Sequence, residues 1–204
     1  DVFIYSRLNP VALLSYAVRH HKCQAGIMVT ASHNPPEYNG YKVFWSDGAQ
    51  VTPPNDKRII SAYNELQDFN TIKYKDFDQG LSEGLIHWVG QDVEDLYHQA
   101  IKSAYINKEL CLERGQELKI VYTPIHGTGL IPCTRALDDI GLTNYQVVEE
   151  QKYPDSDFPT VKSPNPENPE ALKMAVDLMM STNADIVMAS DPDTDRLGVA
   201  VNCK

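Results

Sequence analysis

The chain has 204 residues, enough for one large domain or two modest ones. Hydrophobic residues make up 42% and charged residues 23%, ordinary for a globular protein, and no apolar run reaches the roughly 18–20 residues that span a bilayer. The net charge of −10 excludes a nucleic-acid surface, which needs clustered Lys and Arg, but leaves room for a small phosphorylated ligand held by a few local cations.

Short apolar runs alternate with helical patterns, which predicts an α/β fold. "VFIY" (2–5) reads as a strand, and Asn9 is expected to cap a helix with Pro10 at its first position and "VALLSYAVRHH" following. "GIMVTA" (26–31) reads as a strand of the continuous apolar kind, buried on both faces. The turn-rich "SHNPPEYNG" comes next, then a strand "YKVFW" (41–45) and a helix from Asn55 and Asp56 through "RIISAYNEL". Residues 69–90 show no clear period, whereas 93–105 carry apolar residues at helical spacing. The pattern restarts near 107–115, which places a boundary between units 1–108 and 109–204.

The second unit opens on "LKIVYT" (118–123), followed by the turn "PIHGTG" and a helix through "CTRALDDI" that Gly141 stops. After a strand "YQVVEE", prolines at 154, 159, 164, 166 and 169 impose an extended loop. A helix "EALKMAVDLMM", a strand "ADIVMAS" and a final strand "LGVAV" complete a β-α-β-α-β unit. "GIMVTASHNP" and "DIVMASDPD" echo each other: an apolar strand, small residues, then a polar loop containing proline. In open α/β sheets such loops, at the carboxyl ends of strands, carry function. Cys23, Cys111, Cys133 and Cys203 lack metal or disulfide spacing and read as reduced, mostly buried thiols. With no basic region before the first apolar run, and hence no signal peptide, this predicts a cytoplasmic protein.

The acidic loop "DPDTD" sets Asp191, Asp193 and Asp195 at every second position. An extended backbone would turn the three carboxylates to one side, where their repulsion amounts to several kcal/mol at an effective dielectric of about 20. A hard divalent cation, magnesium above all, relieves that charge. An EF-hand is excluded, because Arg196 and Asn202 stand where glycine and the bidentate glutamate are required. A haloacid-dehalogenase-type phosphatase also begins with a strand and Asp-x-Asp, but usually has Thr or Val where Asp195 stands. A solvated acidic turn is the plain alternative, and the neighbouring Arg196 shifts the balance toward phosphate. In the other loop, Ser32 lacks the glycine-flanked elbow of a hydrolase. Beside a cation, however, a phosphorylated Ser32 becomes a phosphoryl donor, with His33 and Lys42 supplying positive charge and proton transfer.

"TASHNPPEYNGYK" (30–42) together with "DPDTDR" (191–196) resembles the α-D-phosphohexomutase superfamily, the phosphoglucomutases and phosphomannomutases. "GYKVFWSDGAQVTPP" and "VYTPIHGTG" are most similar to its bacterial phosphoglucomutase and phosphopentomutase branch. The resemblance implies two α/β/α units with mixed sheets, the first truncated at its N-terminal side, so that the chain covers part of the family's domain 1 and its domain 2. It implies Ser32 as the phosphoserine, Lys42 as general acid/base, and His33 as a catalytic residue that helps hold the phosphoserine. It also implies Mg²⁺ on Asp191, Asp193, Asp195 and the Ser32 phosphate, with Arg196 and Asn34 on phosphate or substrate. The implied reaction moves a phosphoryl group between the 1- and 6-positions of a sugar through phosphoserine, with glucose 1,6-bisphosphate as activator and intermediate. The partners expected are a sugar phosphate and the remaining domains of the same chain, with no nucleic acid and no membrane. The chain alone is expected to be inactive and to dimerise through an unpaired strand edge. Three alternatives stay open: a phosphopentomutase, a magnesium-dependent phosphatase with Asp191 as nucleophile, and a non-catalytic module that binds metal or phosphosugar.

Overall fold

The structure, a computed structural model, describes residues 1–203. The first unit runs β1 (Val2–Tyr5), α1 (Val11–His20), β2 (Ala25–Val29), β3 (Tyr41–Trp45), α2 (Asn55–Asn64), α3 (Phe77–Ser82), β4 (Ile86–Val89) and α4 (Gln91–Lys102). Strand β1 pairs in parallel with β4, from Val2↔Ile86 to Tyr5↔Val89. Strand β2 pairs antiparallel with β3, from Ala25↔Trp45 to Val29↔Tyr41, and the two ladders do not join.

Helix α1 backs both ladders. Its buried residues fall on two sides at helical spacing, Leu13 with Ala17 and Val11 with Val18, as a helix placed between two ladders requires. Ala17 meets Val89 and Val93 under the first ladder, with Tyr5 and Tyr16 packed around them. Under the second, Gly26 lets the helix come close, since a Cβ there would lie 2.5 Å from Val18 Cγ2. Only one face is covered in this way. Ile27 and Val29, which the sequence predicts to be buried, are 64% and 72% exposed because they point away from α1 and no element lies over them.

Three local expectations also change. Helix α1 starts at Val11, so Pro10 occupies the N-cap and the Asn9 side chain donates to the Arg7 carbonyl instead. The stretch without a clear period, 69–90, contains α3 and β4, a short strand whose partner β1 lies more than 80 residues away. The four cysteines are unpaired, but none is fully buried, and Cys203 is exposed.

Between the units, α5 (Lys108–Arg114) occupies the stretch where the boundary was expected. The second unit follows as β5 (Ile120–Thr123), α6 (Leu130–Ile140), β6 (Tyr145–Val147), α7 (Pro169–Thr182), β7 (Ile186–Ser190) and β8 (Leu197–Val201). Its sheet has the order β6-β5-β7-β8, with β6, β5 and β7 parallel and β8 antiparallel. The central β5 is buried at every position, as a continuous apolar run requires. Val121 and Val187 form the core with Ala175 and Met179 of α7. The proline-rich loop has no regular structure, yet it packs: Val161 lies against Ile125, Ala171 and Ala189. Among the described residues no helix is long and apolar enough to cross a membrane.

Helix α4 spans the two units. On one side it packs on α1, and on the other Asp95 pairs with Arg135 at 2.7 Å and Lys102 with Asp139 at 3.2 Å. His98 of α4 is 3% exposed. Burial, then the charge of Arg135, depress its proton affinity below the usual 6.5, against the opposing pull of Asp139, Glu94 and Asp95. The imidazole is therefore neutral in the fold and takes up a proton on unfolding. Its contribution is fully present above pH 6.5 and is lost as pH falls toward the lowered folded value. The melting temperature is expected to drop between pH 7.5 and 5.5, and His98→Gln to shrink that drop, as read by calorimetry at both pH values.

Candidate active site

The carboxyl ends of β1 and β2 face those of β5 and β7, and the site forms where their loops meet. Gly127 makes the closest approach: a Cβ there would lie 2.3 Å from Pro192 Cα. Thr128 reinforces it, its amide and hydroxyl both donating to the Pro192 carbonyl, at 3.0 and 2.8 Å. From the first unit, the Val11 amide at the start of α1 donates to the Asp193 carbonyl at 3.1 Å.

The acidic loop is a turn, not the extended segment that the alternating spacing suggests. Thr194 takes a left-handed φ of 58°, and its amide bonds back to the Asp191 carbonyl at 3.0 Å. Asp191 Oδ1 accepts from the amides of Asp195 and Arg196 at 3.0 and 3.1 Å, so this carboxylate shapes the turn. Asp191 Oδ2 is buried with no hydrogen-bond partner. Burial, and then the nearby charge of Asp195, raise the Asp191 carboxyl to about 6. Asp193 is also buried, whereas the Asp195 side chain is 36% exposed.

The serine loop is a turn as well. Ser32 has φ 55°, a left-handed conformation that costs a non-glycine residue about 1–2 kcal/mol. Such strain collects at functional sites. The Ser32 hydroxyl lies 3.2 Å from His33 Nδ1. Its amide donates to Thr30 Oγ1 at 2.8 Å, and Thr30 Oγ1 donates to Asp193 Oδ1 at 2.6 Å. Two hydrogen bonds therefore tie the serine backbone to the buried aspartate of the other unit. A second tie runs from the Ser163 hydroxyl to the His33 carbonyl at 2.7 Å.

Lys42, on β3 opposite Met28, reaches across the units to the same loop. Its ammonium lies 2.8 Å from Asp193 Oδ2 and 3.0 Å from Asp195 Oδ2. Burial draws its proton affinity down, but the bonds to Asp193 and Asp195 outweigh this and raise it above 10.5. For Asp195, burial pushes the carboxyl up and Lys42 brings it below the usual range.

The structure thus brings Ser32, His33, Lys42, Asp193 and Asp195 into one connected cluster. Arg196 turns elsewhere and pairs with Glu167 at 2.8 Å. Asn34 contributes a backbone bond to the Ala31 carbonyl, at 3.1 Å, that closes the serine turn. Among the described residues, no three side chains of the His, Cys, Asp and Glu type are gathered as a ready cation cage. The donor chemistry nevertheless suits a hard cation, because Asp191 Oδ2 is a buried carboxylate oxygen with no hydrogen bond to satisfy it.

Sequence reading passed over Thr30 and Ser163, the two residues that hold the loops together. For Ser163 the proline-rich loop gave a signal, since long irregular segments in compact domains are commonly functional. For Thr30 there was none beyond its place at a strand end. Replacing Thr30 by valine removes one hydrogen bond to a carboxylate and one from an amide while keeping the side-chain shape. The chain should lose about 1.5–3 kcal/mol in urea unfolding, and Thr30→Ser should recover most of it.

Strand-end loops from two α/β units meet here, one presenting a strained serine and the other buried carboxylates, and together they define an α/β protein of two linked units. Family comparison specifies this further. Residues 95–204 match "Phosphoglucomutase/phosphomannomutase, alpha/beta/alpha domain II", and residues 1–69 match domain I of the same family. The chain belongs to the phosphoglucomutase/phosphomannomutase family. It is 38% identical over 203 residues to the phosphopentomutase of Homo sapiens, covering 98% of this chain and 32% of that protein. It is 40% identical over 200 residues to the Homo sapiens glucose 1,6-bisphosphate synthase, with the same two coverages. A crystal structure from Thermus thermophilus, assigned as a phosphomannomutase, superposes with a TM-score of 0.77 at 25% identity, over 98% of this chain and 42% of that one. The chain thus spans about a third of the length of the curated relatives it matches.

Proposed function

We propose that this chain carries the phosphoryl-donor and cation-binding part of a sugar-phosphate mutase, with Ser32 as the residue that is phosphorylated. The observation that carries this reading is the hydrogen-bond chain from the Ser32 amide through Thr30 Oγ1 to Asp193, closed on the other side by Lys42 between Asp193 and Asp195.

In the forward step the bond between phosphorus and Ser32 Oγ breaks as a bond forms from a sugar hydroxyl to the same phosphorus. The transition state is loose and places charge on the phosphoryl oxygens, so positioning and electrostatics govern the rate. The strained turn fixes the serine, and Thr30 holds its backbone at a set place relative to Asp193. His33, at 3.2 Å, holds the hydroxyl in the unphosphorylated state. Lys42 keeps its ammonium and is suited to donate a proton to the departing serine oxygen and to recover one from the attacking sugar hydroxyl, so that the lysine is unchanged at the end of the step. Asp191, Asp193 and Asp195 would hold the magnesium ion, which supplies Lewis-acid stabilisation of charge on the transferring group. Arg196 would contribute to phosphate binding after leaving Glu167, and Asn34, whose amide closes the serine turn, would contact the substrate. A bisphosphate such as glucose 1,6-bisphosphate would recharge the serine.

A phosphatase with Asp191 as nucleophile is disfavoured, since Asp191 is buried and one of its oxygens caps two amides. The two readings leave different covalent marks. After incubation with magnesium and glucose 1,6-bisphosphate, the chain should gain one phosphoryl group that maps to the Ser32 peptide, survives acid and resists hydroxylamine. A hydroxylamine-labile mark on Asp191 would overturn the proposal. With glucose 1-phosphate added, this chain should show no steady isomerisation, because sugar orientation requires contacts from further domains.

A further inference from the structure

Ile125 and His126, in the turn that follows β5, both take a left-handed φ, 42° and 58°. For a β-branched residue such a φ is a genuine outlier, and strain of this kind persists where the surroundings over-determine it. Here they do. The His126 amide donates to the Gln151 carbonyl at 2.9 Å, its carbonyl accepts from the Asp155 amide at 3.2 Å, and Ile125 is fully buried. The His126 side chain is buried too, at the end of a chain of hydrogen bonds that the proposed mechanism does not use.

The direction of each bond in that chain follows from its donors. Thr123 Oγ1 accepts from the Ile125 amide at 3.1 Å and donates to Gln151 Oε1 at 2.7 Å. The Gln151 side-chain nitrogen then donates to Thr160 Oγ1 at 2.9 Å. Thr160 is left with its own hydrogen, and His126 Nε2, at 2.8 Å, accepts it. The ring proton therefore sits on Nδ1 and is donated to the Tyr153 carbonyl. A second proton, on Nε2, would reverse the bond to Thr160 and leave the threonine hydrogen without that acceptor. The charged group that acts on the ring is Asp155, the Phe158 ring lies 6.4 Å away, and Gln151 and Thr160 are neutral. Burial outweighs Asp155 and the Tyr153 carbonyl, and holds the proton affinity of the ring below the usual 6.5.

Thr160 stands three residues before Ser163, whose hydroxyl holds the His33 carbonyl at 2.7 Å. Pro159 and Pro164 bracket this segment and fix φ at both ends, and Pro164 is fully buried. Its two other anchors rest on the same turn, Thr160 on His126 and Val161 on Ile125. We infer that His126 is a positioning residue for Ser32, acting through Thr160 and Ser163: the neutral ring holds the serine loop in place, and a proton taken up from solvent releases it. The hold is fully present above pH 6.5 and is lost as pH falls toward the lowered folded value. For its consequence at Ser32 the inference rests on the mutase reading, whereas the hold on the loop stands without it.

Imidazole nitrogen shifts and amide exchange test this on the chain as it stands. At pH 7.5 the ¹⁵N shifts of His126, assigned by their loss in His126→Gln, should show a protonated Nδ1 and a bare Nε2. The Ser32 and Asn34 amides, both hydrogen-bonded in the serine turn, should lose about tenfold protection between pH 7.5 and 5.0. Glutamine offers Thr160 an acceptor that does not titrate, so in His126→Gln protection should be the same at both pH values. His33, His98 and Asp191 are unchanged in that variant, so a pH response of theirs would persist in it. The initial rate of phosphoryl uptake from glucose 1,6-bisphosphate should follow the same contrast. An Nε2-protonated tautomer at pH 7.5, equal protection at both pH values in the parent, or an equal loss in the variant would overturn the inference. If neither chain takes up phosphoryl, the mutase reading falls, and the exchange contrast still decides this one.

Discussion

Replacing Ser32 with alanine is expected to abolish phosphoryl uptake by this chain while leaving its fold intact. Among the described residues the hydroxyl's hydrogen-bond partner is His33, and the structural bond from residue 32 to Thr30 is made by the backbone amide, which alanine retains. The left-handed φ is no harder for alanine than for serine, so stability should change little. In a mutase carrying this segment, turnover should fall by ~10³-fold or more, because the Thr30 hydroxyl beside it is engaged by Asp193 and the residue 32 amide and is not free to take its place. Intact mass before and after exposure to bisphosphate, with urea unfolding as the control, separates the two effects. Full phosphorylation of the alanine variant would remove Ser32 from the mechanism.

Lys42→Met should tighten divalent cation binding, and Asp193→Asn should nearly eliminate it. In the structure the Lys42 ammonium neutralises Asp193 and Asp195, the charges a cation would neutralise. Two carboxylates about 4 Å apart repel by about 4 kcal/mol at an effective dielectric of 20, so removing the lysine leaves a strong demand for positive charge. Magnesium or manganese affinity, measured by calorimetry, should rise by about tenfold or more in Lys42→Met, and the cation should raise its melting temperature more than that of the parent. For Asp193→Asn the loss should reach about 100-fold, the upper end of what supporting residues alone contribute. Weaker binding in Lys42→Met would show that the lysine organises the cation site instead of competing with it.

Much of the site was legible because its chemistry is concentrated in two short strings. Ser32 and His33 stand side by side, Lys42 follows across one hairpin, and the three aspartates alternate over five positions. Elements of the surrounding fold were legible too, from the buried β5 run to the Gly141 that ends α6 with φ 90°. Spacing misled at the acidic loop, where alternate carboxylates imply an extended backbone. The Asp191 side chain instead folds the loop into a turn by accepting two amides, an outcome that depends on its burial at the carboxyl end of β7.

By itself the sequence determined the α/β class, the order of most elements and the residues put forward for phosphate chemistry, because these follow from local periodicity, turn residues and side-chain type. Tertiary structure alone decided which of those residues meet. Arg196 is adjacent to Asp195 in the chain, yet it pairs with Glu167, while Lys42 crosses about 150 residues to reach Asp193. Only the fold shows that Ile27 and Val29 are open, because an apolar run is the same string whether or not another element covers it. The remote strand β4 and the Thr30 bridge were hidden for the same physical reason. Hydrogen bonds between distant segments depend on where the backbone brings donors and acceptors together, and no residue pattern within either segment records its partner.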